Sequence, residues 1–169
     1  MTVQVIDAKE SPADREWVKN IYPFYLHDLS EFDDGYYRLN ERGLWEPDHL
    51  PHWFADETHH PLVMRESGRR IGFAFVGQSP FPHMTAGLDF QLAEFFVLRA
   101  LRRTGLGRRG AFALFDRFPG TWEVTQMARN LPAVKFWRRV IGEYTGGRYE
   151  EASLDGSPRQ VFSTARHVT

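Results

Sequence analysis

Glu94-Phe-Phe-Val-Leu-Arg-Ala-Leu-Arg-Arg-Thr-Gly-Leu-Gly-Arg-Arg-Gly110 is the stretch whose reading decides the fold. An apolar run stops at Leu98, arginines and glycines follow, and an amphipathic pattern begins, which predicts strand, anion-binding loop and helix in succession. Gly105 and Gly107 permit φ > 0 and close approach of a ligand to bare backbone. A helix starting near Gly107 adds unpaired N–H groups and the positive end of its dipole. Such a place binds phosphate. The helix rests on Ala111, Leu114, Phe115 and Phe118 at i, i+3, i+4 and i+7, with Pro119-Gly120 as its stop. Arg102, Arg103, Arg108 and Arg109 add positive charge around the same mouth.

The glycines also spell a dinucleotide-binding pattern at Gly105, Gly107 and Gly110, with Glu123 near where such a fold puts its ribose-binding acid. That pattern places its first glycine directly at the strand end, whereas Arg99 to Thr104 intervene here, and too little chain follows for a second nucleotide-binding half. The lysine-bearing phosphate loop of NTPases is absent. The bland alternative is a solvated, basic helix start with no ligand.

Arg102-x-x-Gly105-x-Gly107, after a strand ending Phe96-Val97-Leu98, resembles the acyl-CoA pyrophosphate loop of the GNAT N-acetyltransferases. Downstream, Asn130-x-x-Ala133-x-x-Phe136-Trp137 resembles that superfamily's helix beside the pantetheine arm. Ala93-Glu-Phe-Phe-Val-Leu98, Phe115-Asp-Arg-Phe-Pro-Gly120 and Gly142-Glu-Tyr-Thr-Gly-Gly147 are also similar to a bacterial group of acetyltransferases whose acceptor the sequence does not name. The resemblance implies an α/β (α+β) fold with a mixed, mostly antiparallel central sheet and helices on both faces. It implies acetyl-CoA as co-substrate, held by Phe96, Val97, Leu98, Arg102, Arg103, Thr104, Gly105, Leu106, Gly107, Arg108, Asn130, Ala133 and Phe136. The other partner it implies is a small-molecule or peptide amine acceptor, with no metal, and it leaves a homodimer open. Asn130 also has a local task as helix N-cap.

Amide formation needs the acceptor amine neutral when it attacks the thioester, so a carboxylate or an ordered water must take a proton near the central strand. Glu94 is the natural carboxylate. Strict alternation along the strand points it to the wrong face, because the family's acids stand one or three residues earlier, at Ala93 and Gln91 here. A β-bulge would restore it, and a water relayed through Gln91 or Glu123 is the competing route. Many family members carry a tyrosine acid where this chain has Trp137, and indole cannot replace it. Either Tyr144 substitutes as acid, or the thiolate leaves without a donor, which a group of thiol pKa tolerates. Trp137 and Ala93 also permit a second class of reading, a CoA-binding regulatory or catalytically degenerate module.

The acceptor, by the same resemblance, enters opposite the CoA loop over an acidic and aromatic segment that contains Tyr25, Asp28, Glu31, Asp33, Asp34 and Tyr36. Tyr25, Glu31, Asp33 and Tyr36 are the expected acceptor contacts, and they favour a cationic amine. His49, His52, His59 and His60 lie nearby, but their spacing is loose and no acid of fixed geometry accompanies them, so they are read as packing or surface residues and not as metal ligands.

Taken whole, 169 residues suit one domain spanning residues 1–169. Basic residues number 21 against 22 acidic, which argues against a general nucleic-acid binder. No apolar run is long enough to span a membrane and the N-terminus lacks a signal-peptide pattern, so the cytoplasm is the expected compartment. The absence of cysteine excludes disulfides and a cysteine nucleophile.

In chain order, Val3 to Ala8 reads as a strand, and Ser11-Pro12 starts a helix whose inward face is Trp17, Ile21, Phe24 and Tyr25, with Pro23 expected to kink or interrupt it. Residues 27–60 read as a short helix and a lid-like loop. Pro61 to Glu66 and Arg70 to Gln78 form a hairpin about Ser67-Gly68-Arg69, and Leu88 to Leu98 is the central strand. Thr121 to Met127 is a strand, Leu131 to Gly142 a helix, and Arg148 to Ser153 with Gln160 to Thr164 a closing hairpin around Asp155-Gly156.

Overall fold

The computed structural model describes residues 2–164. Its main sheet has seven strands: β1 (Val3–Asp7), β4 (His59–Glu66), β5 (Arg69–Gln78), β6 (Phe90–Val97), β7 (Thr121–Thr125), β8 (Tyr149–Leu154) and β9 (Ser157–Ser163). They lie in the order β1-β4-β5-β6-β7-β9-β8. Every neighbouring pair is antiparallel except β6 and β7, which are parallel and are joined across the sheet by α3 (Leu106–Arg117). The predicted mixed, mostly antiparallel sheet is therefore present. So are helices on both faces: α1 (Pro12–Leu29) and α2 (Leu50–Ala55) cover one core, while α3 and α4 (Leu131–Thr145) cover the other.

Two expectations need correction. The fully buried stripe of α1 is Asp14, Val18, Tyr22 and Leu26; of the expected face, Trp17, Ile21 and Tyr25 are partly buried and pack against the same core, while Phe24 is 60% exposed. Apolar side chains cover so much of this helix that periodicity does not choose between adjacent stripes. The aromatic surface of the sheet does: Tyr22 stacks on Phe75 at 5.7 Å and tilts onto Phe73 at 5.9 Å. Nor does Pro23 interrupt the helix, which continues to Leu29. Between α1 and β4 the expected loop and short helix are joined by a small hairpin, β2 (Arg38–Leu39) with β3 (Trp45–Glu46). No helix among the described residues is long and apolar enough to cross a membrane.

Asp14 fixes the start of α1. Ser11 caps the helix, and the buried Asp14 carboxylate accepts from Arg65 of β4 and from Arg70 of β5, the latter at 2.7 Å. Burial raises its pKa, but the hydrogen bonds and charges of the two arginines outweigh that and hold it below its ordinary value. A lowered folded-state pKa contributes stability that is present above the unfolded value of 3.8 and is lost as pH falls through the folded value. Asp14→Asn should therefore destabilise the protein at pH 7 by about 3 kcal/mol, the low end for breaking a buried pair because both guanidiniums keep access to water. Melting curves measured from pH 7 down to pH 3 should show the gap to the parent protein closing below about pH 4.

Candidate active site

The site begins where two strands part. β6 pairs with β7 only at Phe90, Gln91 and Leu92, opposite Trp122, Glu123 and Val124, yet β6 continues to Val97. Beyond Leu92 one edge of β6 therefore faces a gap. A cleft of about 1020 Å³ occupies that gap, walled by β6, the ends of α1 and β7, and the first turns of α3 and α4.

Glu94 stands at the fork because of a bulge. Phe75 of β5 faces Glu94 and Val76 faces Leu92, which leaves Ala93 opposite no residue. Phe90 and Leu92 point into the core under α3 and α4; after the extra residue Phe95 and Val97 take that face, and Glu94 and Phe96 turn toward α1. Tyr22 of α1 donates to Glu94 Oε1 at 2.8 Å, whereas Oε2 is buried with no hydrogen-bond partner. Burial pushes the Glu94 carboxyl up to about 8 against the opposing pull of the Tyr22 hydrogen bond. The phenols of Tyr25 and Tyr37 are near enough to feel the same carboxyl, and both are raised above their ordinary values by burial and then by its charge.

The loop has the geometry its glycines suggest. Gly105 is the N-cap of α3 at φ 84, without a side-chain cap, whereas Ser11 and Asn130 cap α1 and α4. The first-turn N–H groups of α3 are thus left for a ligand. Gly107 faces α4: a β-carbon there would come within 3.3 Å of the Phe136 ring and 3.7 Å of Val97 Cγ2. Arg103 lines the cleft at φ 64. Arg102 donates through Nε to the Val97 carbonyl at 2.9 Å, and Asp28 of α1 accepts from both Arg99 at 2.5 Å and Arg102 at 2.6 Å. Arg108 lines the cleft and pairs with Glu143. Leu98, Thr104 and Leu106 do not line it: Leu98 packs on the core under α1, Thr104 donates to the Leu101 carbonyl, and Leu106 is buried. Arg109 pairs with Glu66 at 2.6 Å and also lies outside the lining.

On α4, Asn130 accepts from the Ala133 N–H at 3.2 Å, the expected cap, and Ala133 and Phe136 form the cleft wall. Trp137 is buried against Phe95 and Phe136 at ring distances of 5.0 and 4.9 Å. The structure does not bring Tyr144 to Glu94. Its hydroxyl donates to Asp116 at 2.7 Å, its ring packs on Phe112 and Phe115, and it does not line the cleft, because it lies two turns further along α4 than Trp137.

The acidic segment is mostly engaged elsewhere. Tyr25 and Glu31 line the cleft with Leu29 and Phe32. Asp33 instead accepts from the N–H groups of Gly35 and Tyr37, closing a turn, and Tyr36 is exposed with its hydroxyl 3.0 Å from His49 Nε2. Asp34 pairs with Arg129 just before α4. Gln91 and Glu123 lie outside the cleft. Glu123 is buried, accepting from the Thr85 N–H at 2.9 Å and from Arg159, which removes the relay expected through it. Among the described residues no cluster of histidines and acids could hold a metal ion.

Comparison with known proteins places this architecture. The sequence model of the acetyltransferase (GNAT) family matches residues 22–142. A GNAT-family acetyltransferase from Streptococcus agalactiae superposes with a TM-score of 0.66 at 13% identity, over 97% of this chain and 96% of that one. The yncA protein of Salmonella typhimurium, solved with its cofactor acetyl-CoA, gives 0.61 at 15% identity over 100% and 98%. FeeM, an N-acyl amino acid synthase from uncultured soil microbes, gives 0.57 at 8% identity over 96% and 90%. At these identities the likeness is one of fold. No curated protein sequence matches the chain.

Proposed function

The chain belongs to the GNAT acetyltransferase family, and from that premise we propose that it transfers the acetyl group of acetyl-CoA directly to an amine within one complex. The observation that carries this reading is Glu94: a carboxylate turned by a bulge to the fork of the sheet, with one oxygen buried and unpartnered beside the cleft. Bare N–H groups of α3 and the side chains of Arg102, Arg103 and Arg108 hold the pyrophosphate. The open edge of β6 and the wall of Ala133 and Phe136 align the pantetheine arm. Glu94 takes the proton from the attacking amine as nitrogen bonds to the acetyl carbon, the carbon–sulfur bond breaks, and the sulfur leaves as thiolate. Trp137 excludes water from the thioester and donates no proton, which a leaving group of thiol acidity tolerates. Tyr25 and Glu31 orient the acceptor; with Asp28, Asp33 and Asp34 engaged, Glu31 is the remaining acid of that segment for a cationic amine.

CoA and acetyl-CoA should raise the melting temperature by about 5–10 °C at a hundredfold excess over Kd. That range follows from about 2.7 kcal/mol of linkage and roughly 2–4 °C per kcal/mol for a chain of this size. NADH should leave the melting temperature unchanged, and protection by NADH without protection by CoA would overturn the proposal. Thiol release from acetyl-CoA with a panel of amines then separates an enzyme from a CoA-binding module without catalysis.

A further inference from the structure

We infer that Tyr22 is a positioning residue for Glu94: its hydroxyl holds one carboxylate oxygen and so fixes the plane of the carboxyl group at the cleft wall. The catalytic sense of this rests on the assignment of Glu94 as base, but the contact itself does not.

Two independent elements fix the carboxylate. The bulge at Ala93 decides which face the side chain leaves from, and Tyr22, reaching from α1, decides how its end is turned. The terminal torsion of a glutamate is broad and roughly two-fold, so a carboxylate with no partner would sample a range of planes. Tyr22 removes that freedom because it has little of its own: it is 3% exposed, stacked on Phe75 at an interplanar angle of 15°, and tilted onto Phe73 and Tyr25. Oε1 is thus occupied at 2.8 Å while Oε2 is buried with no protein partner, an arrangement that an ordered water or a substrate group would complete.

The same hydrogen bond sets when the base is available. A donor to a carboxylate favours its ionised form, so Tyr22 works against the burial that raises Glu94. The other titratable groups within electrostatic reach of it are the neutral phenols of Tyr25 from α1 and Tyr37 from the loop after it, while β5 contributes the rings of Phe73 and Phe75 to the same core. Glu94 has no ion pair among the described residues. Of these neighbours, Tyr22 is the one that donates to it.

The test is a carbon-13 NMR titration of protein labelled at the glutamate carboxyl carbons, with the Glu94 signal identified by its absence in Glu94→Gln. In Tyr22→Phe the midpoint should rise by about one pH unit or more, the range expected for loss of a hydrogen bond to a charged group. In Tyr25→Phe, which removes a phenol within electrostatic reach of Glu94 that does not donate to it, the midpoint should stay within about a few tenths of a unit. Incorporating 3-fluorotyrosine in place of Tyr22, a nearly isosteric and stronger donor, should move the midpoint down, so the sign is read even if the phenylalanine variant folds poorly. An unchanged midpoint in Tyr22→Phe, an equal shift in Tyr25→Phe, or shifts of the same sign for phenylalanine and fluorotyrosine would overturn the inference. Acetyl transfer that survives Glu94→Gln while the Tyr22 shifts appear as expected would instead overturn the base assignment, and the positioning role with it, leaving only the contact.

Discussion

Gly107→Val should abolish CoA binding while the protein stays folded. Gly107 is the second residue of α3, and the position a β-carbon would take is 3.3 Å from the Phe136 ring, facing the wall shared by α3, α4 and the end of β6. A valine side chain would fill space beside that turn, Phe136 and Val97, where the proposed function puts the ligand. Calorimetry should show at least a hundredfold loss of CoA affinity, about 2.7 kcal/mol. The cost to stability should be smaller, because valine is no worse a helix former than the glycine it replaces and the Phe136 ring has to give by only a few tenths of an ångström at the β-carbon. Gly105 is the informative contrast. At φ 84 it is strained by any β-carbon, but that carbon would meet nothing within 4 Å. Gly105→Ala should therefore cost about 1–2 kcal/mol of stability and leave the loop able to bind once folded. Wild-type CoA affinity in folded Gly107→Val would show that this loop is not where the phosphates lie.

That contrast also shows what the sequence could and could not disclose. The loop was legible because its information is local: two glycines one residue apart, arginines beside them, a strand before and an amphipathic helix after. Asn130 was legible for the same reason, since a cap is decided within four residues. Glu94 was half legible. Its chemistry was plain, but its direction depends on an extra residue in β6 that becomes visible only when β5 is paired beside it. Tyr22 was hidden twice over, first by a helix too apolar to announce which stripe faces in, and then by a partner 72 residues away. The acidic segment failed differently. Asp28 and Asp34 did mark attraction to positive charge, but the cations are Arg99, Arg102 and Arg129 of this chain. Sequence proximity to the expected acceptor side could not distinguish an acid awaiting a ligand from one that ties α1 to the arginine-bearing loop after β6.

The largest effect expected on turnover comes from Glu94→Gln, which keeps the shape of the side chain and removes the base. Loss of a positioned general base costs about 10²- to 10⁴-fold in rate. With the carboxyl near 8, about a tenth of the enzyme carries it ionised at pH 7, so kcat/KM should climb with pH and level off above about 8. Deprotonation of the acceptor amine tilts the profile the same way, and the substitution separates the two: a limb that belongs to Glu94 disappears in Glu94→Gln, while one that belongs to the amine persists on a lower curve. Stability should move in the opposite direction to activity. A folded-state pKa raised above the ordinary 4.5 means that stability is fully present below 4.5 and is lost as pH rises through the folded value near 8, because the buried carboxylate must then be carried as a charge. Glutamine bears no such charge, so the variant should melt above the parent at pH 8, with the difference shrinking as pH falls toward 4.5. A less active enzyme that is also less stable at pH 8 would mean the substitution had merely damaged the fold. A more stable enzyme that has lost its rate and its pH limb together is the result expected of a base kept buried at the cost of stability.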